Sequence, residues 1–187
     1  MTIRCILLLL IFSCVCFSCG HNISSKEDLI RFIHRKDSGL KKENDTQSNI
    51  RMAMVYMPYQ LFPVNVKSDG QDNFYFSLQL SSDNKPLSTQ VSREMYGELI
   101  QLFLFDFQQY ITYSYGASAH TVKHISYNQH DQNPYYDNLI VTIPRDAAFE
   151  GSKVLRFTIK EFGFQSGSSS FSFKTKDINR VNGLIID

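Results

Sequence analysis

His120 and His124 stand four residues apart, with His130, Asp131 and Asp137 close behind, so one segment carries enough nitrogen and oxygen donors for a metal ion. On a helix that spacing would stack both imidazoles on one face, and with Asp131 as a third ligand the site would suit metal-dependent hydrolysis. The flanks point elsewhere. Residues 113–136 are rich in Ser, Tyr, Asn and Gln and read as a long polar connection, which makes the histidines solvent-facing loop residues. Other hydrolytic arrangements are weaker still. Asp106 lies within the apolar run 102–107, where a buried carboxylate would need a partner, whereas a strand residue on the wet face needs none. Glu94 and Glu98 are also four apart, as an exposed helix face predicts without any catalysis. Gly-x-Ser-x-Gly, His-Glu-x-x-His and phosphate-loop patterns are absent, and no cofactor is expected.

The tyrosines offer a non-enzymatic reading. Tyr59, Tyr113, Tyr115, Tyr127, Tyr135 and Tyr136 include several in polar, loop-like contexts. A tyrosine presents a rigid apolar plane with a hydroxyl, which suits contact with protein or glycan, so a binding patch is expected around Tyr127, Tyr135 and Tyr136. The rival reading is that most of these rings cover the edges of a core. A binding role predicts an exposed aromatic or apolar patch of several hundred Å².

The elements that would position these residues begin after an N-terminal segment of a different kind. Residues 1–20 read MTIRCILLLLIFSCVCFSCG, with Arg4 as the positive start and residues 5–17 apolar apart from Ser13. That stretch is short for a spanning helix, which needs roughly 20 residues. Ser18, Cys19 and Gly20 follow, and the chain then turns polar. This resembles a bacterial lipoprotein signal, in which cleavage precedes a cysteine that becomes diacylated. Cys16 occupies the position where Leu is usual. The expected division is a signal peptide over 1–18, a lipidated N-terminus and tether over 19–24, and one β-rich domain over 25–187. Cys19 is the expected lipidation site. All four cysteines, Cys5, Cys14, Cys16 and Cys19, precede residue 20, so the domain has no disulfide, thiol nucleophile or thiolate metal site. Acyl chains at Cys19 would hold the protein at one leaflet of a bacterial envelope, most simply the outer membrane, facing the periplasm or the cell surface. Without Arg4, the 19 Lys plus Arg become 18, equal to the 18 Asp plus Glu, so nothing in the charge favours nucleic acid.

Within the domain, Ser24 with Glu27 and Ser25 with Asp28 form overlapping capping boxes ahead of a short helix over about 25–35, with Gly39 as a stop. Residues 36–48 read as a mobile polar loop. Strands are expected over 50–57, where Ile50, Met52, Met54 and Tyr56 share one face, over 139–143, and over 74–80, 154–160 and 169–174, where apolar and polar residues alternate. Turns are expected at 67–70 and 81–86, and Gly151, Gly163 and Gly167 punctuate the later strands. Residues 92–115 are ambiguous. Their aromatic density favours two strands meeting near Gln108 and Gln109, and a single amphipathic helix over 94–110 is the alternative. The sum is a mainly β, antiparallel sandwich-like domain with the short N-terminal helix packed at its edge.

Ser25 to Ile33 (SKEDLIRFI), Ser38 to Lys42 (SGLKK), Met57 to Leu61 (MPYQL) and Leu155 to Phe164 (LRFTIKEFGF), then Gly167, Phe171, Phe173 and Lys176-Asp177-Ile178, carry a resemblance when joined to the lipoprotein-like start. Together they look like a group of small, uncharacterised lipoproteins of Bacteroidota, over almost the whole mature chain. The tyrosine-proline order common in that group occurs here only as Met57-Pro58-Tyr59. The resemblance implies an envelope location and a single domain, and it brings no reaction. The leading expectation is therefore a lipid-anchored envelope module that binds or scaffolds a protein or glycan partner without catalysis. The alternative is an envelope metal-dependent hydrolase using His120 and His124.

Overall fold

The computed structural model describes residues 23–45, 50–62, 72–127, 133–164 and 166–186. The chain begins there with α1 (Lys26–His34), capped by Ser25, whose hydroxyl accepts from the Asp28 N–H at 3.1 Å. Of the two capping boxes, the one formed by Ser25 and Asp28 is used. Its Leu29 and Ile33 are buried, while Ile30 is exposed. The helix ends at His34, and Gly39, at φ 74°, terminates the short 3-10 turn that follows it.

Among the described residues ten strands follow: β1 (Lys41–Asp45), β2 (Ile50–Met57), β3 (Asn73–Ser82), β4 (Lys85–Pro86), β5 (Ile111–Tyr115), β6 (Ser118–Thr121), β7 (His124–Tyr127), β8 (Asp137–Pro144), β9 (Val154–Ile159) and β10 (Ser169–Lys174). They form a six-stranded sheet in the order β1-β2-β3-β8-β7, with β4 on β3, and a four-stranded sheet in the order β10-β9-β5-β6. Every pairing is antiparallel. Register aligns Met52 with Leu80, Met54 with Leu78 and Tyr56 with Phe76, and then Phe76 with Val141 and Leu78 with Leu139. One face of the larger sheet is thus a continuous apolar layer. Across the interior, Phe76 meets Phe157 at 4.7 Å and Phe173 at 5.2 Å between ring centroids, which joins the two sheets into a sandwich.

Three expectations need correction. The reading of residues 36–48 as a loop fails for β1, a charged edge strand whose Lys41 and Glu43 pair with each other; charge on an edge discourages pairing with other chains. The favoured two strands over 92–115 hold only for β5. Residues Arg93–Gln101 form α2, which passes through a π-helical turn over Leu102–Asp106 and a 3-10 turn over Phe107–Tyr110. The buried residues Leu99, Phe103 and Phe107 recur every four positions, a helical stripe that outweighs the strand preference of aromatics, while Leu104, Phe105 and Asp106 face solvent. Residues 113–136 are not one polar connection, because they contain the end of β5 and all of β6 and β7. Their polarity is that of sheet-edge strands: β7 turns Ile125 inward and leaves His124 and Ser126 exposed.

Among the described residues two further short helices complete the fold, α3 (Ala147–Glu150) and α4 (Thr175–Asn182), neither of which is among the expected elements. Helix α4 is held from outside itself. Thr175 Oγ1 donates to the Ser152 carbonyl at 2.6 Å, and Gln60 Nε2 donates to the carbonyls of Val181 and Leu184 at 3.0 and 3.1 Å. Gln60 therefore satisfies acceptors that a helix C-terminus leaves open. The expected turn at 67–70 lies outside the described residues.

Candidate functional site

The site is built by the β3–β4 hairpin, by the start of β8 and by the end of β7. Asp83 and Asn84, at φ 50° and 58°, make the tight primed turn that joins β3 to β4. The chain then enters a 3-10 turn, Leu87–Thr89, pinned by buried Leu87, and this points both donors of Ser88 at one carboxylate. The Ser88 N–H reaches Asp137 Oδ2 at 2.8 Å, and its hydroxyl reaches Oδ1 at 2.7 Å. The Tyr127 hydroxyl donates to the same Oδ1 at 3.0 Å.

Asp137 stands opposite Leu80 in the β3–β8 register and belongs to the core-facing row that continues through Leu139, Val141 and Ile143. It is 5% exposed. A carboxylate there is tolerable because three donors converge on it, and hydrogen bonds to a charged acceptor are stronger than neutral ones. Burial first, and then the negative charge of Asp137, push the Tyr127 hydroxyl well above its ordinary value, so it stays a donor across the physiological range.

Around this carboxylate opens a cleft of about 420 Å³, within the roughly 300–1,000 Å³ typical of small-ligand sites. Tyr96 of α2, Tyr127 and Tyr136 line it with Lys85, Ser88 and Asn133. Asn133 Oδ1 accepts from the Tyr135 N–H at 2.9 Å, a turn that sets the direction of the Tyr135–Tyr136 pair. A second groove of about 390 Å³ runs across the outer face of the larger sheet past Ala53, Gln79 and Ser81, and Tyr135 and Tyr136 wall it. Tyr136 is common to both hollows, and Tyr135 is 64% exposed. The cleft offers aromatic surface beside a few polar side chains. Asp137 is the only carboxylate among the described residues lining the cleft, whereas acid–base glycoside hydrolysis uses two.

No family model, curated protein or solved structure matches this chain.

The sequence-derived candidates fall as follows. Tyr127, Tyr135 and Tyr136 are brought together around the paired hollows. Tyr113 and Tyr115 are core residues of β5, as the rival reading of the tyrosines has it. His120 lies on β6, opposite Tyr113, with its ring stacked on that of Tyr113 at 5.2 Å. His124 is exposed at the start of β7, in the other sheet and opposite Thr142. The segment is extended, so the four-residue spacing does not place them on one helical face. Among the described residues no group of three or more His, Cys, Asp or Glu side chains is placed to hold a metal ion. Cys19, His130 and Asp131 lie outside the described residues. Ser88 and Tyr96 carried no signal. Asp137 as a hydrogen-bond centre was within reach, because the alternation of 139, 141 and 143 extends backward to 137.

Proposed function

We propose that this chain is a lipid-anchored protein of the bacterial cell envelope, at the outer membrane and facing the periplasm or the cell surface, whose folded domain binds or scaffolds another envelope component without catalysis. Support for the anchor comes from the apolar segment that ends at Cys19 and from the confinement of every cysteine to that segment. Support for binding rests on one observation: Tyr136 forms a shared wall between two adjoining hollows, with Tyr127 and Tyr135 beside it. Rigid aromatic surface at the rim of a polar cleft is what recognition sites use, since a ring orders few rotors on binding.

The test passes native envelope extract over four immobilised forms: the acylated protein and Cys19→Ser (C19S), each with and without Tyr136→Ala. The expected result is one component recovered by both Tyr136 forms and lost from both Tyr136→Ala forms, with circular dichroism unchanged. Equal recovery by Tyr136→Ala, or no specific recovery by any form, overturns the binding role.

A further inference from the structure

The polar groups of the cleft restrict the kind of ligand it accepts. Asp137 and Lys85 are the charged side chains among its described residues, and they are of opposite sign. A cationic ligand would meet the Lys85 ammonium, and an anionic one would meet the Asp137 carboxylate. A wholly apolar ligand would strip water from Asp137 and Asn133 without replacing its hydrogen bonds, which buried polar groups do not tolerate cheaply. What remains is a neutral molecule that carries both donors and acceptors.

The donor and acceptor inventory narrows this further. A carboxylate offers about four acceptor positions, and three donors already occupy Asp137: Ser88 N–H on Oδ2, and Ser88 Oγ and Tyr127 Oη on Oδ1. Oδ2 keeps room for one more donor. Asn133 spends its oxygen on the Tyr135 N–H, so its NH2 is left to donate. An acceptor and a donor lining one cleft match a ligand with several hydroxyls, each of which can give and receive a hydrogen bond. The tyrosine rings of Tyr96, Tyr127 and Tyr136 offer apolar surface to the C–H groups between such hydroxyls.

Building on the binding role above, we propose that the cleft holds a pyranose unit of a neutral oligosaccharide. One hydroxyl donates to Asp137 Oδ2, another accepts from Asn133, and the C–H faces lie against the tyrosines. The sugar chain continues past Tyr136 into the groove walled by Tyr135, where Gln79 and Ser81 supply further polar contacts.

The test is saturation-transfer NMR on the full chain in polyoxyethylene micelles, which have no sugar headgroups. The probes are neutral tetrasaccharides of β-1,4-glucose, α-1,4-glucose, N-acetylglucosamine, mannose and galactose, with choline as a cationic control. At least one tetrasaccharide is expected to receive saturation at its ring protons. Tyr136→Ala and the exposed-helix variant Tyr96→Ala are each expected to weaken that binding tenfold or more, and Asp137→Asn to weaken it at least threefold. No binding by any tetrasaccharide, binding unchanged in both tyrosine variants, or preference for choline overturns the inference. If a Tyr136-dependent envelope component is recovered and proves to be a sugar-free protein, the carbohydrate inference fails while the binding role stands. If no component is recovered and no sugar binds, both fail.

Discussion

The two ends of β8 close the same sandwich by opposite means. At one end Ile143 pairs in register with Phe74, and the ring of fully buried Phe149 from α3 lies 4.3 Å from that of Phe74 and 5.8 Å from that of Tyr115. This is an apolar plug whose contribution depends on volume and scarcely on direction. At the other end the same inward row finishes in Asp137, held by Ser88 and Tyr127. That closure depends on direction, and it leaves a polar acceptor at the floor of a cleft. A core can therefore be closed by apolar rings at one end of a strand and by a hydrogen-bonded carboxylate at the other.

The largest expected effect falls on the plug. Phe149→Ala removes a ring that touches two others and is expected to cost about 3–5 kcal/mol in urea unfolding, with the Asp137 cleft unaltered. A loss under 1 kcal/mol would mean that the plug is not what closes that end. Asp137→Ala takes the shared acceptor from three donors that water entering the open cleft can still satisfy, and is expected to cost on the order of 2 kcal/mol, less than the plug variant. Should it prove the more damaging of the two, the ranking of the ends is reversed. Ser88→Ala removes one hydroxyl bond but keeps the backbone donor, so about 1 kcal/mol is expected from the same measurement.

The smallest effect is one of pH. Each end holds a tyrosine whose hydroxyl is pushed up, Tyr115 by burial and then Asp146, Tyr127 by burial and then Asp137. The folded form keeps these protons where the unfolded chain, titrating near ~10, has lost them. Stability is therefore intact below that pH and declines as pH rises through the folded values. Tyr127→Phe is expected to flatten part of the decline in alkaline unfolding followed by circular dichroism, and an unchanged slope would show that Tyr127 takes no part in it.

The legibility of the sequence followed the same physical divide. Strands buried on one face announced themselves by alternation, so β10 was read to the residue and β9 to within one. The edge strands β1, β6 and β7 did not, because an edge contributes few inward residues and its charged or polar side chains resemble those of a loop. The run 102–107 misled through its aromatics, since the four-residue spacing of Leu99, Phe103 and Phe107 becomes visible only when the buried members are separated from exposed Leu104 and Phe105. Helix α4 is missed although its signal is local: Asp177 lies in the first turn, Arg180 in the last, Gly183 at the end, and the buried Ile178 and Val181 stand three apart, too few apolar residues to stand out from the polar run around them. Residue type and polar context single out the tyrosines at 127, 135 and 136, which line the two hollows. Ser88, on the turn after β4, and Tyr96, on α2, meet them only through the tertiary fold, some thirty to fifty residues away in sequence, and no local pattern encodes that meeting.

Two aromatic side chains of nearly equal exposure give the most direct test of the binding role: Tyr135, 64% exposed in the wall of the outer groove, and Phe105, 65% exposed on the π-helical turn. Hydroxyl-radical footprinting with mass spectrometry, run on the protein in intact envelopes and again after purification, compares each residue with itself. The account predicts that Tyr135 is labelled several-fold more slowly in the envelope while Phe105 is labelled equally in both. Equal labelling of Tyr135 in the two states, or protection of Phe105 in its place, would contradict it.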